Sequence, residues 1–91
     1  MDANRPVLLV EDDKVDAMTV KRAFRDLSIS NNLIIVGNGI EALNYLRNPD
    51  NKMPCMILLD INMPKMNGIE FLKMSKGDNI LKYIPVVVVT T

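Results

Sequence analysis

In this 91-residue chain the side chains best suited to chemistry are carboxylates and hydroxyls that follow apolar runs. Glu11, Asp12 and Asp13 come directly after Val7-Leu8-Leu9-Val10, Asp60 after Met56-Ile57-Leu58-Leu59, and Thr90 and Thr91 after Val86-Val87-Val88-Val89. If the three runs are neighbouring strands, one pocket gathers all of these groups. Crowded carboxylates repel one another, and a hard, oxygen-seeking cation of the Mg²⁺ type offsets that repulsion. Mg²⁺ keeps several waters and takes one or two carboxylates, which predicts Asp12 and Asp60 as metal ligands with Glu11 reaching the ion through water. A carboxylate beside Mg²⁺ can attack phosphorus, because the metal neutralises oxygens that would otherwise repel it. Asp60, at the end of the central run, is the expected nucleophile and would carry an aspartyl phosphate. Thr90 is placed to donate its hydroxyl to a phosphoryl oxygen. Helix capping competes as an explanation of the acids after the first run, since Asp is a good N-cap and acids suit the first helical turn. Asp13 is expected to be that cap. Capping gives no reason for Asp60, which precedes a loop, so a metal site accounts better for the set.

Composition removes most other chemistries. With no His and a single Cys, Cys55, the chain cannot build a His/Cys zinc site, a Ser-His or Cys-His nucleophile pair or an internal disulfide. Lys plus Arg is 11 and Asp plus Glu is 11, and the resulting zero net charge argues against nucleic acid or an anionic membrane as a direct partner. The length suits one domain, 1–91, and the hydrophobic fraction of 48% is ordinary for a folded soluble chain. No apolar run approaches the roughly 18 residues of a membrane span. Residues 1–6 lead into an apolar strand without a signal-peptide core, which predicts a cytoplasmic protein and a reduced Cys55, read as a small buried hydrophobe.

The elements that must position these residues alternate. Val7-Leu8-Leu9-Val10 has the continuous apolar pattern of a strand buried on both faces. Residues 14–28 place Ala17, Val20, Phe24 and Leu27 at helical spacing, with Lys21, Arg22, Arg25 and Asp26 largely on the other side. Leu33-Ile34-Ile35-Val36 reads as a second buried strand, and Gly37-Asn38-Gly39 turns into a helix with Ile40, Leu43 and Leu46 facing inward. A third strand at 56–59, a helix over about 68–76 and a fourth strand at 86–89 complete the order. Strict alternation predicts an open parallel sheet with right-handed crossovers, whose ligands collect beyond the carboxyl ends of the strands.

The segments Val7-Leu8-Leu9-Val10-Glu11-Asp12-Asp13, residues 57–68 around Asp60 and Asn62, and Ile84-Pro85 through Thr90-Thr91 together resemble the receiver domain of two-component response regulators. The paired threonines and the stretch after Asp60 look most like small single-domain receivers that partner phytochrome-type histidine kinases. The resemblance implies a flavodoxin-like, CheY-like doubly wound sheet of order 2-1-3-4-5, here four strands and three helices. It implies Asp60 as phosphoacceptor, Asp12 as direct and Glu11 as water-mediated metal ligand, Asn62 as a backbone-carbonyl ligand, and Thr90 as the switch hydroxyl. It also implies a sensor histidine kinase as partner and a signalling module rather than an enzyme, its catalysis limited to its own phosphorylation and dephosphorylation.

The family pattern continues past the fourth strand with a helix, a fifth strand bearing a Lys and a last helix, so the sequence reads as a receiver incomplete at its C-terminus. On that reading the Val86–Val89 strand has a free edge, and a homo-oligomer through that strand or the bare sheet face is expected. Two other readings compete. One is a structural or dimerising fragment that does not switch. The other is a dinucleotide-binding fragment, because Gly37-Asn38-Gly39-Ile40-Glu41-Ala42 fits G-x-G-x-x-A after a strand. That fingerprint belongs in the first strand-helix turn, whereas here it follows the second strand and leaves Glu11 and Asp12 unused. Its glycines are otherwise expected to serve a tight turn with positive φ.

Overall fold

A computed structural model describes residues 4–60 and 68–89. Strand β1 (Val7–Val10) leads to helix α1 (Lys14–Asp26), β2 (Leu33–Val36), α2 (Gly39–Arg47), β3 (Met56–Asp60), α3 (Gly68–Gly77) and β4 (Val86–Val89). A short 3-10 turn at Leu81–Tyr83, which the apolar pattern did not announce, precedes β4 and is capped by Asp78, whose Oδ1 accepts from the Ile80 and Leu81 amides at 2.8 and 3.0 Å. The strands are all parallel in the order β2-β1-β3-β4, the expected doubly wound arrangement.

One face of the sheet carries Leu8, Val10, Ile57 and Leu59, which pack with Ala42, Leu43 and Leu46 of α2, Phe71 of α3, and Leu81 and Ile84. Burying each of the larger side chains contributes roughly 1.5–3 kcal/mol, which makes β1 and β3 the rigid centre of the molecule. Their register has a second support. The Arg5 guanidinium donates to the Met53 carbonyl at 3.0 Å and the Pro54 carbonyl at 2.7 Å, while the Cys55 amide donates to the Pro6 carbonyl at 2.9 Å. These bonds tie the entrance of β1 to the entrance of β3, so Val7 pairs with Met56 and Val10 with Leu59.

Several details differ from the sequence expectation. β2 is the edge strand of the described sheet, paired on one side only by β1, and is only half-buried, with Ile35 42% exposed. In α2, Ile40 is exposed, and Gly39 and Ala42 take the inward positions with Leu43 and Leu46. α1 ends at Asp26, leaving Leu27 as its C-cap and exposed rather than inward. The helix closes there because Ser28, at φ 56°, lets its own amide donate to Arg25 O and the Ile29 amide to Phe24 O, the paired bonds of a Schellman ending. No described glycine has positive φ, so Gly37 and Gly39 do not serve the predicted left-handed turn. Cys55 is half-buried rather than buried, its Sγ donating to Arg5 O and accepting from Asn31 Nδ2, each at 3.7 Å.

Candidate functional site

The register of the sheet builds the site. Val10 lies level with Leu59, and Leu59 with Val88, so the next residues along the two central strands, Glu11 and Asp60, stand side by side. Glu11 extends the ladder by donating its amide to Val36 O at 2.9 Å, and its side chain turns inward, 5% exposed. Asp60 is 2% exposed, whereas Asp12 faces solvent. Asp13 then caps α1 as expected: its Oδ1 accepts from the Val15 amide at 2.8 Å and the Asp16 amide at 3.1 Å. Its own amide points back and donates to Glu11 Oε2 at 3.4 Å.

Glu11, Asp12 and Asp60 each offer a carboxylate oxygen, and these oxygens lie within 4.8 Å of one another. Oxygens bound directly to one Mg²⁺ are no more than roughly 4.2 Å apart, given metal–oxygen distances near 2.1 Å. The set therefore fits a small hard cation with two carboxylates bound directly and one through water, or all three after a slight closure. Oxygen-only donors exclude a soft-metal preference.

Electrostatics support the same conclusion. The Glu11 carboxyl is pushed up from 4.5 to about 7, first by burial, then by its hydrogen bond to Asp60 and the charges of Asp60 and Asp16, with the Asp13 amide opposing. Two hydrogen-bonded carboxyl groups must share a proton, which here offsets the charge that a cation would otherwise neutralise. Asp16, half-buried in the first turn of α1, is a fourth acid in this field that the strand-end pattern did not single out. Its only signal was its position three residues after the cap. Asn62 and Thr90 lie outside the described residues.

The Gly37–Ala42 segment is closed to a pyrophosphate by its own side chains. Asn38 caps α2, its Oδ1 accepting from the Glu41 amide at 2.9 Å, and the Glu41 carboxylate takes the Gly37 amide at 3.0 Å. A carboxylate thus occupies the anion position of this helix start. The N-x-x-E spacing of a capping box was the signal for it.

Residues 7–91 match the response regulator receiver domain family. This chain belongs to that family. The receiver is 40% identical over 96 residues to the response regulator Rcp1 of a Synechocystis species, covering 99% of this chain and 65% of Rcp1. It is 41% identical over 88 residues to the probable methanogenesis regulatory protein FilR2 of Methanothrix harundinacea, covering 93% of this chain and 57% of that protein. The receiver thus spans less than two thirds of the length of either relative. Among solved structures, the Mn²⁺-bound form of Rcp1 superposes with a TM-score of 0.88 at 40% identity, covering 96% of this chain and 66% of that one. The bacteriophytochrome response regulator AtBRR superposes equally well, TM-score 0.88 at 37% identity, covering 94% and 66%. The fold is the flavodoxin-like sheet of this family, as the resemblance implied.

Proposed function

We propose that this receiver accepts a phosphoryl group from the phosphohistidine of a sensor histidine kinase onto Asp60, with Mg²⁺ as cofactor. The observation that carries the proposal is the convergence of Glu11, Asp12 and Asp60 at the ends of β1 and β3, with their oxygens within 4.8 Å. Asp60 supplies the nucleophilic oxygen: a phosphorus–oxygen bond forms to its carboxylate as the phosphorus–nitrogen bond of the donor breaks, the electron pair leaving with the imidazole. Bound Mg²⁺ would neutralise the phosphoryl oxygens as they approach the acidic pocket. Asp12 and Asp60 would hold the ion directly, and Glu11, once deprotonated, would reach it through water. By the family pattern, Asn62 would contribute its backbone carbonyl and Thr90 its hydroxyl.

The partner is a kinase of the phytochrome type, a reading supported by the phytochrome response regulators that are 37% and 38% identical to this chain. The protein acts as a cytoplasmic signalling module, not as an enzyme on a separate substrate, and none of the described helices is long and apolar enough to cross a membrane. It does not bind nucleic acid directly, in keeping with its zero net charge. Self-association belongs to the same proposal. β4 is the outer strand of the described sheet, and its Val87 and Val88 are 45% and 44% exposed on opposite faces.

Intact mass after incubation with acetyl phosphate and Mg²⁺ tests the reading. The parent chain should gain one phosphoryl group and Asp60→Asn none. An unmodified parent would favour a structural receiver core, and a modified Asp60→Asn would move the nucleophile elsewhere.

A further inference from the structure

We infer that Asp13 is a positioning residue for the metal site, holding Glu11 and Asp12 in place through its cap of α1. The inference rests on the metal reading above and adds to it a residue outside the ligand set. Three bonds converge on Asp13. Its carboxylate takes two amides of the first turn, at 2.8 and 3.1 Å, and its carbonyl accepts from the Ala17 amide at 3.0 Å, so the residue is fixed in extended conformation at φ −89° and ψ 119°. That conformation aims its own amide at Glu11 Oε2. On the other side, Glu11 is tied to β2 by its backbone bond to Val36. Asp12, the exposed ligand of that reading, is thus the residue bridging two anchored neighbours. Removing the cap frees the Asp13 amide from Glu11 and the Asp12 backbone from helix α1, while leaving every ligand in the sequence.

Partners that orient ligands from outside the coordination shell typically change metal affinity by about 10- to 100-fold when lost. A change of charge must be separated from a loss of cap. Asn and Ser keep the side-chain acceptor but lose the charge, whereas Gly loses both and is still tolerated at a cap position. Binding of Mn²⁺ alone to the 91-residue chain, followed by electron paramagnetic resonance, distinguishes the cases. Thermal unfolding of each variant confirms that it is folded. The expected result is a parent-like affinity, within about twofold, for Asp13→Asn and Asp13→Ser, and a loss of roughly tenfold for Asp13→Gly. Equal weakening in all three would assign the effect to charge and overturn the inference. A parent-like Asp13→Gly would reduce Asp13 to an ordinary helix cap and overturn it as well. Failure of the parent to bind Mn²⁺ would overturn the metal reading itself, and the positioning role with it.

Discussion

Glu11 is the residue whose behaviour separates this site from a merely acidic surface. Its carboxyl titrates at 4.5 in ordinary surroundings and at about 7 in the fold, so the folded state favours the protonated form. A raised folded value contributes stability that is complete below 4.5 and is lost as pH rises through about 7. Metal-free protein should therefore lose part of its stability across that window, and Glu11→Gln should remove that part of the fall; denaturant unfolding at several pH values checks this. Parallel curves for parent and variant would contradict it. On the proposed metal reading, binding would displace the same proton, so affinity should rise with pH through about 7. Asp12→Asn should weaken Mg²⁺ strongly in a calorimetric titration, because it removes a direct ligand, and a parent-like curve would exclude Asp12 from that role. Glu11, Asp12 and Asp60 were legible in the sequence because Glu11 and Asp60 directly follow apolar runs and Asp12 comes next after Glu11. Asp16 was not, since its effect on Glu11 depends on the turn of α1 that brings the two together.

Helix ends decide how the elements present these residues. The start of α1 was readable, as Asp13 is a strong cap, but its end was not. Leu27 continues the apolar spacing of Ala17, Val20 and Phe24, and only the conformation of Ser28 breaks it. A non-glycine residue in the left-handed region costs about 1–2 kcal/mol. Ser28→Gly should accordingly stabilise the chain by roughly 0.5–1 kcal/mol, after the larger unfolded-state entropy of glycine is subtracted. Metal affinity should not change, because this helix end is remote from Glu11 and Asp12. Chemical denaturation and metal titration of that variant check both halves. The start of α2 carries the opposite lesson. Its glycines imitated a dinucleotide fingerprint, yet Asn38 and Glu41 satisfy the exposed amides from within the chain. Spacing alone cannot say whether a helix start is already occupied by its own side chain.

At the scale of the molecule, alternation of apolar runs and amphipathic segments was enough to predict a parallel sheet, because each parallel return must cross a sheet face. Edge positions were harder to read, since burial of Leu33–Val36 depends on where the strand falls in the sheet order, which its own composition does not state. β4 has the composition of a core strand, but its middle valines are exposed, which carries the prediction of self-association. Val87→Lys should shift a micromolar dimer toward monomer in sedimentation velocity, whereas a parent that is monomeric at every concentration would contradict that prediction. The central claim is that these elements converge to make Asp60 a phosphoacceptor, and it can be read at a single residue. An aspartyl phosphate is an acyl phosphate, which borohydride reduces to homoserine. After treatment of the chain with acetyl phosphate and Mg²⁺, then borohydride, peptide mass mapping should find homoserine at position 60 and none when Mg²⁺ is chelated. Homoserine at another acid, or unaltered Asp60 in the presence of Mg²⁺, would contradict the account.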